Sequence, residues 1–126
     1  MTSLLEDSRR PDITFHNDGR IDITARLVRK LGIGKGDVID VKTDGIEYFL
    51  YVRHRAADLS GTHEAQCYPT NSGKSHNFRC YSARLCKALI GQVAASAKQL
   101  KLQAGSTVEL PVICKPAVPL ITRNPL

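Results

Sequence analysis

The 126-residue sequence lacks the features that mark several large classes of protein. No apolar run approaches the ~18–20 residues that a helix needs to cross a bilayer. The first ten residues contain no apolar stretch followed by a small-residue cleavage site, which is the mark of a signal peptide. The sequence also has no Ser-His-Asp pattern, P-loop or dinucleotide-binding glycine motif. We therefore expect a cytoplasmic protein with no membrane partner, no enzymatic activity and no cofactor.

The sequence contains no C-x-x-C pair, and its four cysteines are expected to be reduced thiols: Cys67, Cys80, Cys86 and Cys114. A His-x3-Cys spacing occurs twice, at His63 and Cys67 and again at His76 and Cys80. Two histidines and two cysteines are a donor set for tetrahedral zinc, but zinc motifs use more closely spaced cysteine pairs. We therefore interpret the spacing as a coincidence among loop residues and expect no metal site.

The composition favours a small, basic, globular protein. The hydrophobic fraction of 42% is ordinary for a soluble domain. The length suits one compact domain or two small intertwined halves. The net charge of +6 and the pI near 9.4 favour a polyanionic partner such as nucleic acid.

Two stretches of the sequence are repeated with small changes. Residues 23–31 are echoed by residues 81–89 at an offset of 58, and residues 31–41 are echoed by residues 100–110 at an offset of 69. The offsets differ by 11 residues, which is about three turns of an α-helix. An insertion of that size lengthens a helix and leaves its buried side facing the same way. The pattern predicts an internal repeat.

The first half of the chain has clear strand and turn patterns. Strands are predicted at residues 13–15, 20–23, 38–41 and 46–52, with tight turns at residues 17–19 and 44–45. The hydroxyl of Thr24 is expected to cap a short helix that ends at Gly32.

The second half is less regular. Residues 53–64 are predicted to be a linker, and strands are predicted at residues 65–68, 77–81 and 107–114. Ser82 is expected to cap a helix that runs from Ala83 to about Leu100. Several prolines follow, so residues 115–126 are expected to form an extended, poorly packed tail.

The motif Gly19-Arg20-Ile21-Asp22-Ile23-Thr24, followed by Leu31-Gly32-Ile33 and Gly36-Asp37-Val38, resembles the AbrB/MazE/SpoVT-like swapped-hairpin family. The resemblance implies a mainly β fold with short helices, a swapped-hairpin β-barrel built from two related β-β-α-β half-units. These would be residues 12–52 and 65–114, in tandem as in MraZ-like relatives. The sequence departs from the family at Thr24, where the family usually has proline.

The resemblance also implies that this chain binds duplex DNA and acts as a bacterial transcriptional regulator. Its DNA-contacting residues would be Arg20, Arg26, Arg29, Lys30, Lys35, Arg84 and Lys87, with Arg79 as a weaker candidate. Arginine suits this role because its planar fork grips a phosphate or a guanine edge with two hydrogen bonds. The alternatives are a solvated basic helix face and a protein-interaction or scaffold module that has lost DNA binding. Pairing of the half-units within one chain and pairing across a homodimer both stay open.

Overall fold

The computed structural model describes residues 10–54, 64–70, 76–111 and 115–123. These residues form nine strands and two short helices, which confirms the predicted mainly β class. In chain order the elements are β1 (Ile13–His16), β2 (Arg20–Ile23), α1 (Ala25–Leu31), β3 (Val38–Thr43), β4 (Tyr48–Arg53), β5 (Tyr68–Pro69), β6 (Phe78–Tyr81), α2 (Ala83–Val93), β7 (Gln99–Ala104), β8 (Val108–Leu110) and β9 (Lys115–Ile121).

The strands form one antiparallel sheet that curls into a half-barrel. Eight of them lie in the order β3-β4-β9-β7-β1-β2-β6-β5, and β8 pairs with β9. Backbone hydrogen bonds join the two ends of this order. The Gly36 N–H donates to the Cys67 carbonyl at 2.7 Å, and the Ile39 N–H donates to the Ala65 carbonyl at 3.2 Å. The curvature therefore brings the segment preceding β5 against the start of β3.

The core lies on the concave side of this sheet because its strands alternate apolar and polar residues. In β1, Ile13 and Phe15 are fully buried, and in β2 the same holds for Ile21 and Ile23. The helices contribute further buried side chains: Leu27 and Val28 from α1, and Cys86, Leu89 and Ile90 from α2. Cys86 is therefore a small core residue. The alternate residues of β1 and β2 point outward, towards solvent.

The N-terminus of α1 is not capped as the sequence predicts. The Thr24 hydroxyl donates to the Asp12 carbonyl at 3.2 Å and makes no cap. The Ala25 N–H donates instead to Oδ1 of Asn77, 52 residues away, at 2.8 Å. The cap predicted for α2 is confirmed, because the Ser82 hydroxyl accepts from the Leu85 N–H at 3.1 Å.

The second helix is shorter than predicted. It ends at Val93 rather than near Leu100, and residues 99–104 form β7. Leu100, Leu102 and Ala104 are buried, whereas the residues between them are more exposed, which is the alternation of a strand. The chain leaves the helix at Ala94, and β7 then pairs with β1.

The C-terminal segment is extended as predicted, but the prediction that it is poorly packed is wrong. Residues 115–121 form β9, which pairs with β4, β7 and β8. Ala117 and Val118 are fully buried in this strand. Pro116 and Pro119 do not prevent the pairing, and the Pro119 carbonyl accepts a hydrogen bond from the Gly105 N–H at 2.8 Å.

Some predictions fall on parts of the chain that are not described. The predicted linker lies largely outside the described residues, as do His63, Cys114 and the last three residues of the tail. The predicted strand at 107–114 is described only as far as Pro111, and β8 ends before this proline. Neither of the two helices formed by residues 10–54, 64–70, 76–111 and 115–123 is long and apolar enough to cross a bilayer.

The turn between β1 and β2 packs tightly against α2 and leads to a prediction. Gly19 has φ +103°, and an added Cβ would lie 3.2 Å from the Ala83 nitrogen and 3.3 Å from its Cα. Gly19→Ala should therefore lower the free energy of unfolding by about 2–4 kcal/mol, through backbone strain and overpacking together. Gly45→Ala is the matched control, since Gly45 has φ +94° and open space around it. It should cost about 1–2 kcal/mol from strain alone. Equal losses in urea denaturation would show that the contact with Ala83 has no energetic role.

Candidate nucleic-acid interface

The Gly-Arg turn predicted to face DNA lies at the start of α2. The Ser82 N–H donates to the Gly19 carbonyl at 2.8 Å, and the Arg20 N–H donates to Oδ1 of Asp18 at 3.0 Å. These bonds fix the turn and therefore the position at which Arg20 enters β2.

The carboxylate of Asp22 contacts three basic side chains on the outward side of the sheet. Its oxygens lie 2.6 Å from Nε of Arg79, 3.2 Å from Nε of Arg20 and 3.0 Å from Nε2 of His16. Asp22 and Arg79 are directly opposite each other on β2 and β6, which explains the short contact. The structure therefore brings together Arg20 and Arg79, but it also compensates part of their charge.

The pKa of Asp22 reflects this cluster. Burial acts to raise this pKa, but hydrogen bonds from Arg79 and His16 and the nearby arginine charges outweigh it. The net effect holds the pKa of Asp22 below its usual value of 3.8. The same hydrogen bond to Asp22 raises the pKa of Arg79.

Asp22→Asn should therefore destabilise the protein at neutral pH and much less in acid. A carboxylate with a lowered folded-state pKa stabilises the fold above its unfolded-state pKa, and this contribution disappears as the pH falls through the folded-state pKa. We expect a loss on the order of 1 kcal/mol at pH 7, limited by solvent screening. The difference from the wild type should shrink between about pH 5 and pH 3. Urea denaturation across this range measures it, with Glu109→Gln as the control. A pH-independent difference would contradict an electrostatic role.

The three basic residues predicted on α1 share its exposed side. Arg26, Arg29 and Lys30 occupy positions i, i+3 and i+4, opposite the buried Leu27 and Val28. The helix contains no acidic residue. Lys30 donates from Nζ to the Gly105 carbonyl at 2.8 Å, whereas Arg26 and Arg29 have no ion-pair partner within the described parts of the chain. These two arginines are available to an external anion.

The other predicted contacts are more dispersed. Lys35 is exposed in the turn before β3. Arg84 of α2 is held by Glu64, with Nη2 of the arginine 2.7 Å from Oε2. This hydrogen bond lowers the pKa of Glu64 and raises that of Arg84. Lys87 is exposed and, with Asn17, borders a shallow cavity of about 400 Å³. None of the contacts made by the described residues joins the cations of α1 to those of α2 or β2.

A second group of outward-facing side chains includes the predicted Arg20 and Arg79 but was not predicted as one site. They point outward from β1, β2, β5, β6 and β7, and we call this surface the outer sheet face. Its members are Thr14, His16, Arg20, Asp22, Tyr68, Arg79, Tyr81 and Lys101. Tyr68 and Tyr81 are 43% and 61% exposed. The sequence Arg79-Cys80-Tyr81 alternates polar and apolar residues, which predicts that Arg79 and Tyr81 lie on the same face of a strand. It does not predict that β5 pairs with β6 and brings Tyr68 next to them.

The cysteines among the described residues lie in the core, away from this surface. Cys67, Cys80 and Cys86 are free and buried. A hydrogen bond with Cys67 and burial raise the pKa of Cys80, and burial raises the pKa of Cys86 to about 11. Such thiols are protonated at neutral pH and are poor ligands and nucleophiles. His76 is exposed on the segment that leads into β6.

We compared the chain with protein-family models, curated proteins and solved structures, and no match was found.

Proposed function

We propose that this chain binds duplex DNA as a transcriptional regulator of the AbrB/MazE/SpoVT-like type. The observation that carries the proposal is the exposed side of α1, where Arg26 and Arg29 project with no compensating carboxylate among the described residues. An exposed, uncompensated pair of arginines one helical turn apart can contact duplex phosphates and release counterions on binding.

The strand register supports the internal repeat on which this proposal depends. β2 and β6 pair with Arg20 opposite Tyr81 and Ile23 opposite Phe78. An offset of 58 residues, the offset of the repeated sequence, places β2 on β6 and the start of α1 on the start of α2. The offset exchanges these two pairs, because Phe78 is the equivalent of Arg20 and Tyr81 the equivalent of Ile23, as expected for a twofold-symmetric pair.

Each helix also makes a hydrogen bond with the other half at its N-terminus. Gly19 and Asn77 are equivalent under this offset. The Gly19 carbonyl accepts from the Ser82 N–H at the start of α2, and Oδ1 of Asn77 accepts from the Ala25 N–H at the start of α1. These contacts between the halves support a swapped-hairpin arrangement within one chain.

This symmetry suggests how the protein would bind. Arg84 and Lys87 of α2 become the equivalents of Arg26 and Arg29 of α1. Two basic helices related by a twofold axis fit the dyad symmetry of duplex DNA. Arginine and lysine would anchor the protein on phosphates, and one or two arginines would contact base edges.

A protein-interaction or scaffold module is the second candidate function. It is favoured by the ion pairs that Asp22 makes with Arg20 and Arg79, and by the pair between Arg84 and Glu64. These contacts compensate three of the cations that a DNA-binding surface would use.

Fluorescence anisotropy of a labelled random-sequence duplex of about 30 base pairs, titrated at several salt concentrations, tests the proposal. We expect micromolar binding that weakens steeply with salt, in the range of about 10⁻⁴–10⁻⁶ M for non-specific binding. Arg26→Ala combined with Arg29→Ala should weaken binding about tenfold. It should also lower the log-log salt slope by about two, one for each lost phosphate contact.

The matched control removes the same charge elsewhere. Lys42→Ala combined with Lys115→Ala deletes two cations that belong to β3 and β9 rather than to either helix, and should leave the salt slope within experimental error. If both double variants weaken binding equally, net charge rather than α1 determines affinity. If the wild type does not bind the duplex at low salt, the proposal of DNA binding fails and a protein-interaction or scaffold function is favoured.

A further inference from the structure

The outer sheet face carries two exposed tyrosines next to fixed cations, an arrangement that α1 does not have. Tyr68 lies directly opposite Arg79, and Tyr81 follows two residues later on β6. The tyrosines are therefore diagonal neighbours, with Cα atoms roughly 7–8 Å apart. Both rings lie on the solvent side of the sheet. Cys80, which lies between Arg79 and Tyr81 on β6, is buried on the other side.

The cations beside these rings are held in place. Arg79 donates from Nε to Asp22 at 2.6 Å, which directs its side chain towards β2 and away from Tyr68. Asp22, and to a smaller extent the neighbouring Tyr81, raise the pKa of Arg79. Lys101 stands in the same cross-strand row, opposite Thr14, which in turn lies opposite Asp22.

The charge of this surface remains positive. Arg20 and Arg79 contact the single carboxylate of Asp22, and Lys101 adds a third permanent cation two strands away in the same cross-strand row. The Asp22 side chain is 32% exposed, against 39% for Arg20 and 42% for Arg79, so an approaching phosphate reaches the arginines more readily than the carboxylate. Charge complementarity therefore favours a polyanionic ligand that also presents flat aromatic groups.

From this juxtaposition of exposed tyrosine rings and anchored arginines, we infer that the outer sheet face binds single-stranded nucleic acid. Unpaired bases stack on aromatic rings that stand on a sheet, while the backbone follows the neighbouring cations. In a duplex the bases are stacked on each other and their flat faces are inaccessible, so the same surface would not hold them. The inference is independent of duplex binding by α1.

Titration of the full-length protein into a labelled mixed-sequence 12-nucleotide DNA and the corresponding RNA tests this inference. An abasic strand of the same length is the ligand control. The bases should improve binding by about tenfold or more over the abasic strand, because stacking contributes at each occupied ring. Preference between DNA and RNA distinguishes the two sources of unpaired bases.

Variants locate the site. Tyr81→Ala and Tyr68→Ala should each weaken single-strand binding about tenfold, whereas Tyr81→Phe, which keeps the ring, should stay within about twofold. Ile46→Ala is the control, since Ile46 is 83% exposed in the β3–β4 turn and should have no effect. Arg26→Ala with Arg29→Ala should leave single-strand binding unchanged, so this inference and the duplex proposal can fail separately.

Three results would each overturn the inference. The first is no binding of either strand at low salt, which would leave a protein partner as the occupant of this face. The second is equal affinity for the abasic strand, which would reduce the interaction to charge. The third is loss of binding in Tyr81→Phe as well as in Tyr81→Ala, which would show that the hydroxyl rather than the ring is required.

Discussion

Phe15→Ala should lower the free energy of unfolding by about 3–5 kcal/mol. Phe15 is the largest fully buried side chain, and it lies on β1 between β2 and β7. The substitution removes an aromatic ring from a site where four neighbouring residues are equally buried: Ile13, Ile21, Leu100 and Leu102. The surrounding strands are hydrogen-bonded on both sides and cannot collapse into the space, so the cavity cost adds to the lost burial.

Urea denaturation followed by circular dichroism measures this loss. Thr14→Ala is the matched control, because Thr14 is the neighbouring residue of the same strand and points outward. It should change stability by less than about 0.5 kcal/mol. A small effect of Phe15→Ala, comparable to that of Thr14→Ala, would mean that β1 is not at the centre of the core.

Local patterns predict the first half of the fold well. The alternation around Ile21 and Ile23 gave the bounds of β2, and Gly32 ends α1 in the left-handed conformation, with φ +68°. These signals depend on neighbouring residues alone, since side-chain alternation and glycine's tolerance of positive φ are properties of a few consecutive positions.

In the second half, the prediction of secondary structure was wrong where it followed the internal repeat instead of the local alternation of side chains. Residues 99–104 alternate polar and apolar, but the match of residues 100–110 to residues 31–41 led to the prediction of a helix that runs to about Leu100. The partner of β7 is β1, more than eighty residues earlier in the chain. A short segment that alternates polar and apolar residues forms a strand here because it pairs with this distant strand. The local sequence does not predict that pairing.

In the candidate site, too, the local features were predicted and the long-range contacts were not. The basic side of α1 followed from helical spacing and lies where it was predicted. The partners of the cations did not follow, because they come from other elements. Asp22 joins Arg79 across 57 residues and Glu64 joins Arg84 across 20. An arginine can bind an external anion more readily when no carboxylate of the protein is paired with it. That pairing depends on residues that are distant in the sequence, so local patterns do not predict it.

The C-terminal segment provides the second large effect. Val118→Asp should lower the free energy of unfolding by at least about 4 kcal/mol, because it places a carboxylate without a partner at a fully buried position of β9. β9 lies between β4 and β7 in the sheet, so its loss would also separate the strands on either side. We expect loss of the cooperative thermal transition, or a melting temperature lowered by more than about 15 °C.

The control lies three residues further along the same strand. Ile121 is 45% exposed, so Ile121→Asp keeps the charge change but leaves the carboxylate in water. It should cost no more than about 1 kcal/mol. If both variants melted close to the wild type, residues 115–121 would be a loosely attached tail, as their prolines suggest. A large difference between the two variants requires that Val118 is enclosed, because burial is the property in which their positions differ most.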